Sequence, residues 1–266
     1  MARRCPRIQA IAGTAIVGVV VACAVFAPWL SARDPLAQDL SARLSPPGLI
    51  DARSPYVLGS DALGRDVWSR LLFGARNSLL VASLSTVCAT TLGVGSGLVA
   101  GFAGRRVDAL LSRVADVQQA IPYLILVIAI IAVLGSSLLN LIAVLSLTSW
   151  FTLFRVVRAE TLALREREFV LAARALGARP ARILVRHVLP NVLSSVIALL
   201  SLLATNIILF ETSLGFLGLG VPPPEPSWGG LIADGRDYIA AAWWISVLPG
   251  TLLALLALGL QLISEE

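Results

Sequence analysis

Long apolar runs separated by short charged segments dominate this chain. Six runs approach the roughly 20 residues that a helix needs to cross a hydrocarbon core of about 30 Å. They are 8–30, 78–103, 120–136, 138–157, 192–210 and 245–263. The pattern predicts an all-α polytopic membrane protein with six transmembrane helices. A first helix would occupy 1–30 with a short basic tail, and an extracytoplasmic segment 31–77. A five-helix core would fill 78–266, interrupted by a large polar segment at 155–191.

That segment reads RVVRAETLALREREFVLAARALGARPARILVRHVLPN, and it is basic and amphipathic. Apolar positions recur at Val170, Ala173 and Leu176, then at Ile183 and Leu184. Gly177 is placed to end one short helix and Pro180 to begin the next, where a missing N–H costs nothing. Two short helices meeting at a tight turn are expected. Ala172, Ala173 and Gly177 carry almost no side chain, so a partner could approach their backbone closely, with arginines around it.

Other punctuation is equally local. Asp66 reads as the N-cap of a helix with Trp68, Leu71, Leu72 and Ala75 on one face, expected to lie on the outer membrane surface before the second span. Gly93, Gly97 and Gly101 form two overlapping GxxxG steps that invite a neighbouring backbone. Pro222, Pro223, Pro224 and Pro226 forbid helix after Gly220, and the glycine-punctuated stretch before them predicts a sharp bend. Trp228, Trp243 and Trp244 flank the last run, where indoles favour the interface.

Composition narrows the chemistry. The chain is 57% hydrophobic and 14% charged, a membrane composition. All 21 basic residues are arginine. Without lysine the chain can form neither a Walker A loop nor a Schiff base, so any ATP hydrolysis must come from another polypeptide. The net charge of +5 comes from arginines clustered between apolar runs, which argues for membrane topology rather than nucleic acid. Arg3, Arg4 and Arg7 put the N-terminus in the cytoplasm. Parity then puts 104–113 and 155–186 inside, and 135–140 and 221–244 outside, with the C-terminus inside. The segment 31–76 strains the rule, with six arginines against five aspartates. A cleaved signal peptide is the alternative for the first run, but that run is long and Pro28 follows the small residues of 22–27 closely.

Few residues are candidates for chemistry. Cys5, Cys23 and Cys88 form no CxxC and are expected as small hydrophobes. Asp116, Gln118 and Gln119 are expected to cap or solvate the start of the third span. Glu211 closes an apolar run. It is expected either to snorkel to the outer interface or cap nearby backbone, or to serve a gate or cavity. His187 is the only histidine and has no ligand cluster around it, so no metal site or catalytic constellation is expected.

The spacing Ala172-Ala173, three residues, Gly177, nine residues, His187-Val188-Leu189-Pro190 resembles the EAA signature of permease subunits of ATP-binding-cassette (ABC) importers. Leu171 stands where that signature has Glu. The resemblance extends to Tyr56-Val57-Leu58-Gly59-Ser60-Asp61, Gly64-Arg65-Asp66-Val67-Trp68 and Gly74-Ala75-Arg76-Asn77-Ser78-Leu79. It continues through Phe216-Leu217-Gly218-Leu219-Gly220-Val221-Pro222-Pro223 and Pro226-Ser227-Trp228-Gly229 to Pro249-Gly250. Over nearly the whole chain it is similar to dipeptide and oligopeptide permeases, the second of the two subunits. Related subunits continue with a short cytoplasmic tail beyond the position of Glu266.

The resemblance implies the type I importer (MetI-like) fold and import of peptides, or alternatively of glutathione or a nickel complex. It implies a heterodimer with a second permease subunit, two ATPase domains using ATP and Mg, and an extracytoplasmic binding protein. No cofactor is expected on this chain, and membrane lipid surrounds it. ATPase docking falls to Ala172, Ala173, Gly177, Arg182, His187, Leu189 and Pro190. Binding-protein contact is expected from Gly59, Asp61, Gly64, Arg65 and Asp66. Two rivals remain from the residues alone. A proton-coupled secondary transporter needs ionisable residues at a midplane site, and the runs offer only Glu211 near one end. A membrane anchor without transport would leave 155–191 without an ATPase.

Overall fold

The computed structural model describes residues 6–264, with side chains from residue 9. Cys5, Arg3, Arg4, Glu265, Glu266 and the side chain of Arg7 lie outside the described residues. Apart from one isolated bridge between Ser60 and Asp66, the described chain is helix and loop.

Helices α1 (Pro6–Val25) and α2 (Ala27–Leu30) lead into the segment 31–66, and α3 (Val67–Ala103) follows. Then come α4 (Arg105–Ala120), α5 (Tyr123–Leu134), α6 (Leu138–Ser149) and α7 (Phe151–Leu164). The polar segment holds α8 (Glu168–Ala175) and α9 (Pro180–Ile183), and α10 (Leu189–Phe216), α11 (Trp228–Gly235) and α12 (Trp244–Ser264) complete the chain. Four helical stretches are long and apolar enough to cross a membrane: Val67–Ala103, Leu138–Leu164, Pro180–Phe216 and Trp244–Ser264. The bent pair α4 and α5 makes a fifth candidate, and α1 is a shorter apolar helix at Gln9–Val25.

Two expected elements take a different form. The surface helix and the second span are one continuous helix, α3, of 37 residues and about 55 Å. Asp66 caps it as expected, accepting from Ser69 N at 2.9 Å. No proline interrupts it. Asn77, at the boundary expected between the outer segment and the second span, is accommodated by a hydrogen bond to the Pro226 carbonyl at 2.8 Å. The third run, by contrast, yields only a short helix, preceded by a separate one. Pro122 disfavours α conformation at Ile121, so α4 stops at Ala120 and α5 leaves at an angle of 94°. The remaining 12 residues of α5 span about 18 Å, less than a bilayer core.

The glycine steps do what their spacing predicts. A Cβ at Gly93 would lie 2.6 Å from the Trp150 carbonyl, at Gly97 2.8 Å from Val157 Cβ, and at Gly101 2.6 Å from Thr161 Cβ. Helices α3 and α7 therefore meet backbone to backbone. The main core joins Ala89 and Val81 of α3 with Leu145 and Leu153 of α6 and α7, and with Val196 and Ile207 of α10. On the outside of this core α1 packs along α12, where Gly13 and Gly259 are in close apposition.

The arginine-rich segments 104–113 and 155–186 share one end. Arg165 donates to the Gly101 carbonyl, and Arg158 pairs with Asp108, tying α7 to the turn between α3 and α4. The segment 31–66, α11 and the start of α12 gather at the other end, where Trp244 Nε1 donates to the Ser60 carbonyl at 3.1 Å. Of the expected interfacial tryptophans only Trp243 is exposed. Trp228 and Trp244 are buried because each indole N–H finds a carbonyl inside, Leu71 for Trp228 and Ser60 for Trp244. Cys88, expected as a buried hydrophobe, lies on an exposed face of α3, while Cys23 is half-buried.

Candidate docking surface

The turn between α8 and α9 is built by its two punctuating residues. Gly177 takes φ +78°, and Ala178 N donates to the Ala173 carbonyl at 3.0 Å, closing the end of α8. Pro180 opens α9 at its first turn. Three apolar side chains pin the pair to the bundle, namely Val170, Ile183 and Val188, all at most 1% exposed. Arg174 stacks over the Phe102 ring at 5.0 Å, and the Phe169 and His187 rings lie 6.4 Å apart. The two short helices are thus a rigid extension of the spans.

What they present outward is small or basic. Ala172, Gly177, Arg182 and Pro190 are exposed, while Ala173, His187 and Leu189 are half-buried. A Cβ on Gly177 would meet nothing within 4 Å, so its backbone faces open space. Leu176, expected on the buried face with Val170 and Ala173, is instead 88% exposed. The helix ends one residue earlier, at Ala175, and the turn swings Leu176 outward.

How this surface joins the membrane is not legible in the sequence. Residues Leu184–Val188 form a π-helical stretch running straight into α10, and Leu189 N donates to the Leu184 carbonyl. Pro190 has no N–H and crowds the carbonyl four residues back, that of Arg186. Widening the ladder by one residue accommodates it. Asn191 Nδ2 then caps the His187 carbonyl at 2.6 Å. The proline was the legible signal; the continuous helix it sits in was not.

Residues 93–265 match the family model for the binding-protein-dependent transport system inner membrane component. The chain belongs to that family. A second match, at residues 9–47, is to the N-terminal transmembrane domain of oligopeptide transport permease C. This family member is 39% identical to the di/tripeptide transport system permease protein DppC of Pseudomonas aeruginosa, over 96% of this chain and 85% of that one. It is 37% identical to the dipeptide transport system permease protein DppC of Alkalihalophilus pseudofirmus, over 96% and 83%. With the oligopeptide transport system permease protein OppC of Bacillus subtilis it shares 32%, over 96% and 82%. Its fold is that of a chain in the inward-facing MetNI methionine ABC transporter, with a TM-score of 0.57 at 19% identity, covering 73% of this chain and 94% of that one. It is therefore a multi-pass membrane permease of the ABC importer class.

At the opposite end lie the residues expected to contact a binding protein. Gly59, Asp61, Gly64 and Asp66 are buried and Arg65 is half-buried. The Asp61 carboxylate accepts from Leu63 N at 2.8 Å, from Arg65 N at 3.0 Å and from Arg65 Nε at 2.6 Å, and it pairs with Arg70. Arg65 and Arg70 both reach Asp234 of α11, at 3.3 and 3.1 Å. The charges alternate because they satisfy one another across a closed turn. They fasten the outer segment to α3 and α11, and of the network only Asp234 is substantially exposed.

Glu211 does not snorkel. It is fully buried between α10 and α3, accepting from Ser78 Oγ at 3.2 Å, with Thr212 Oγ1 3.3 Å away. Ser78 Oγ in turn accepts from Trp228 N at 3.3 Å, so the carboxyl helps hold the start of α11 in place. Asp116 and Gln118 bind sideways rather than capping. Asp116 pairs with Arg155 at 2.8 Å, and Gln118 bridges the Leu147 carbonyl and Trp150 Nε1. Among the described residues no cluster of His, Cys, Asp and Glu could hold a metal ion.

Proposed function

We propose that this permease carries dipeptides or oligopeptides into the cell as half of a heterodimeric pathway. A second, different permease subunit completes the channel. Two ATPase domains dock on α8 and α9 from the cytoplasm, using ATP and Mg, and an extracytoplasmic binding protein delivers the peptide. Both termini are cytoplasmic in this reading, since the arginines that precede the first run and those of 104–113 and 155–186 favour that side.

The observation that carries it is the contrast within the docking segment. Its inward side is anchored by Val170, Ile183 and Val188, and its outward side offers Ala172 and the bare Gly177 backbone. Such a surface can take a push and pass it on. Closure of the ATPases would move α8 and α9 as a unit, and the helix running from Pro180 to Phe216 would transmit that motion to the opposite end. The substrate class comes from the relatives' names, and it is the binding protein that would choose among peptides.

Gly177→Val tests this. A β-branched residue at φ +78° costs about 1–2 kcal/mol of backbone strain and puts bulk where the partner approaches. Insertion in the membrane should survive, while peptide-stimulated ATPase activity and uptake fall together. Unchanged uptake in this variant would refute docking at this turn.

A further inference from the structure

The groove between α1 and α3 has the polarity profile of an amphiphile. Two stripes face each other along it. On α3, Phe73, Arg76 and Leu80 share one helical face, and on α1 and α2 so do Val21, Val25 and Pro28. The inner part is a cavity of about 420 Å³ walled by Val21, Ala24 and Val25 against Leu79, Leu80 and Arg76. Its one nearby hydroxyl, Ser83, is already committed to the Leu80 carbonyl. One helical turn further out on both walls, Pro28 and Phe73 begin a second chamber of about 580 Å³, bordered by Ser31, Asp34 and Glu225.

The charges along this path are unspent. Arg76 is exposed, and among the described residues it makes no ion pair and no side-chain hydrogen bond. Its neighbours in the groove are aliphatic, so at membrane depth it needs an anion or water. In the outer chamber neither Asp34 nor Glu225 has an ion-pair partner among the described residues. Asp34 accepts only from Leu36 N, and Glu225 only from Asn77. Arg33 also borders the chamber, but its guanidinium lies over the Tyr56 ring at 4.5 Å. The order along the groove is therefore apolar trough, Arg76, then two carboxylates, with Arg33 turned aside onto Tyr56.

We propose that this groove binds one phospholipid of the phosphoethanolamine class. An acyl chain lies between α1 and α3, the phosphate pairs with Arg76, and the ammonium is received by Asp34 and Glu225. A guanidinium is suited to bidentate phosphate contact. An uncharged glycerol headgroup offers the two carboxylates no cation and leaves the lipid with a net negative charge, so it should bind less well. The bound lipid would fill the gap beside the most peripheral helix and steady α1 against the core.

Native mass spectrometry of the detergent-purified permease tests this, by adding phosphatidylethanolamine and phosphatidylglycerol with identical acyl chains. Wild type should retain one phosphatidylethanolamine several-fold better than phosphatidylglycerol. Arg76→Ala should weaken retention about tenfold, as expected for loss of one charge-assisted contact, and Arg76→Lys should recover part of it. Leu80→Trp, which fills the trough, should abolish it. Asp34→Asn with Glu225→Gln should erase the preference between headgroups. In lipid-free detergent, thermal unfolding of Arg76→Ala should match wild type, because Arg76 makes no ion pair or side-chain hydrogen bond among the described residues. Equal retention of both lipids by wild type would overturn the proposal. So would undiminished retention in Arg76→Ala, or equal binding of glycerophosphoethanolamine, which has no acyl chain.

Discussion

Asp61 shows that a short charged motif can find its partners within its own chain. In sequence, Asp61, Arg65 and Asp66 alternate with glycines and suggest a surface made for a visiting protein. In the structure Asp61 is 1% exposed and holds two arginines. Removing one member of a buried pair leaves the other uncompensated, at about 3–5 kcal/mol. Asp61→Ala should therefore lower the melting temperature and the folded yield of the detergent-purified permease sharply, whatever binding protein is present. Asp234→Ala should cost far less, because Asp234 is half open to solvent. Gly97→Leu is the corresponding test of helix packing. A Cβ there already meets Val157 Cβ at 2.8 Å, so the larger side chain should destabilise by about 1–3 kcal/mol or more. Unaltered melting in that variant would mean that α3 and α7 do not pack as described.

Among the elements, what could be read in sequence was whatever depends on local backbone rules. Asp66 as a cap, Gly177 and Pro180 as the ends of two short helices, and the end of α10 within the glycine-punctuated stretch before Pro222 all follow from one or two residues. The helix boundaries that failed depend on where polar groups find partners. Asn77 looked like the end of an element, yet it bonds across to Pro226 and the helix continues. Trp228 and Trp244 looked interfacial, yet their N–H groups are satisfied by carbonyls brought near from distant parts of the chain. Hydropathy sees only the residue and not its partner. Exposure of Leu176 failed for a geometric reason, since a turn one residue earlier rotates it off the buried face. The two short helices of 155–191 were legible because the turn chemistry of Gly177 and Pro180 is local.

At the scale of the whole molecule the account rests on sidedness. The segment 31–66 and the α8–α9 turn sit at opposite ends, and the second should face ATP. A single cysteine at Leu49, which is 87% exposed, in a background lacking Cys5, Cys23 and Cys88, should react in intact cells with a membrane-impermeant thiol reagent. One at Arg179 should react only after the membrane is opened. The reverse pattern would invert the permease and remove the docking segment from the cytoplasm. Even correct sidedness would leave open what the segment holds. A photo-crosslinking residue at Ala172, in cells expressing the complete transporter, answers that most directly. Irradiation should join this permease to an ATPase subunit in high yield, and the same group at Leu49 should not. An adduct formed only with lipid or with the other permease subunit would contradict docking at α8 and α9, and with it the account of how ATP drives this protein.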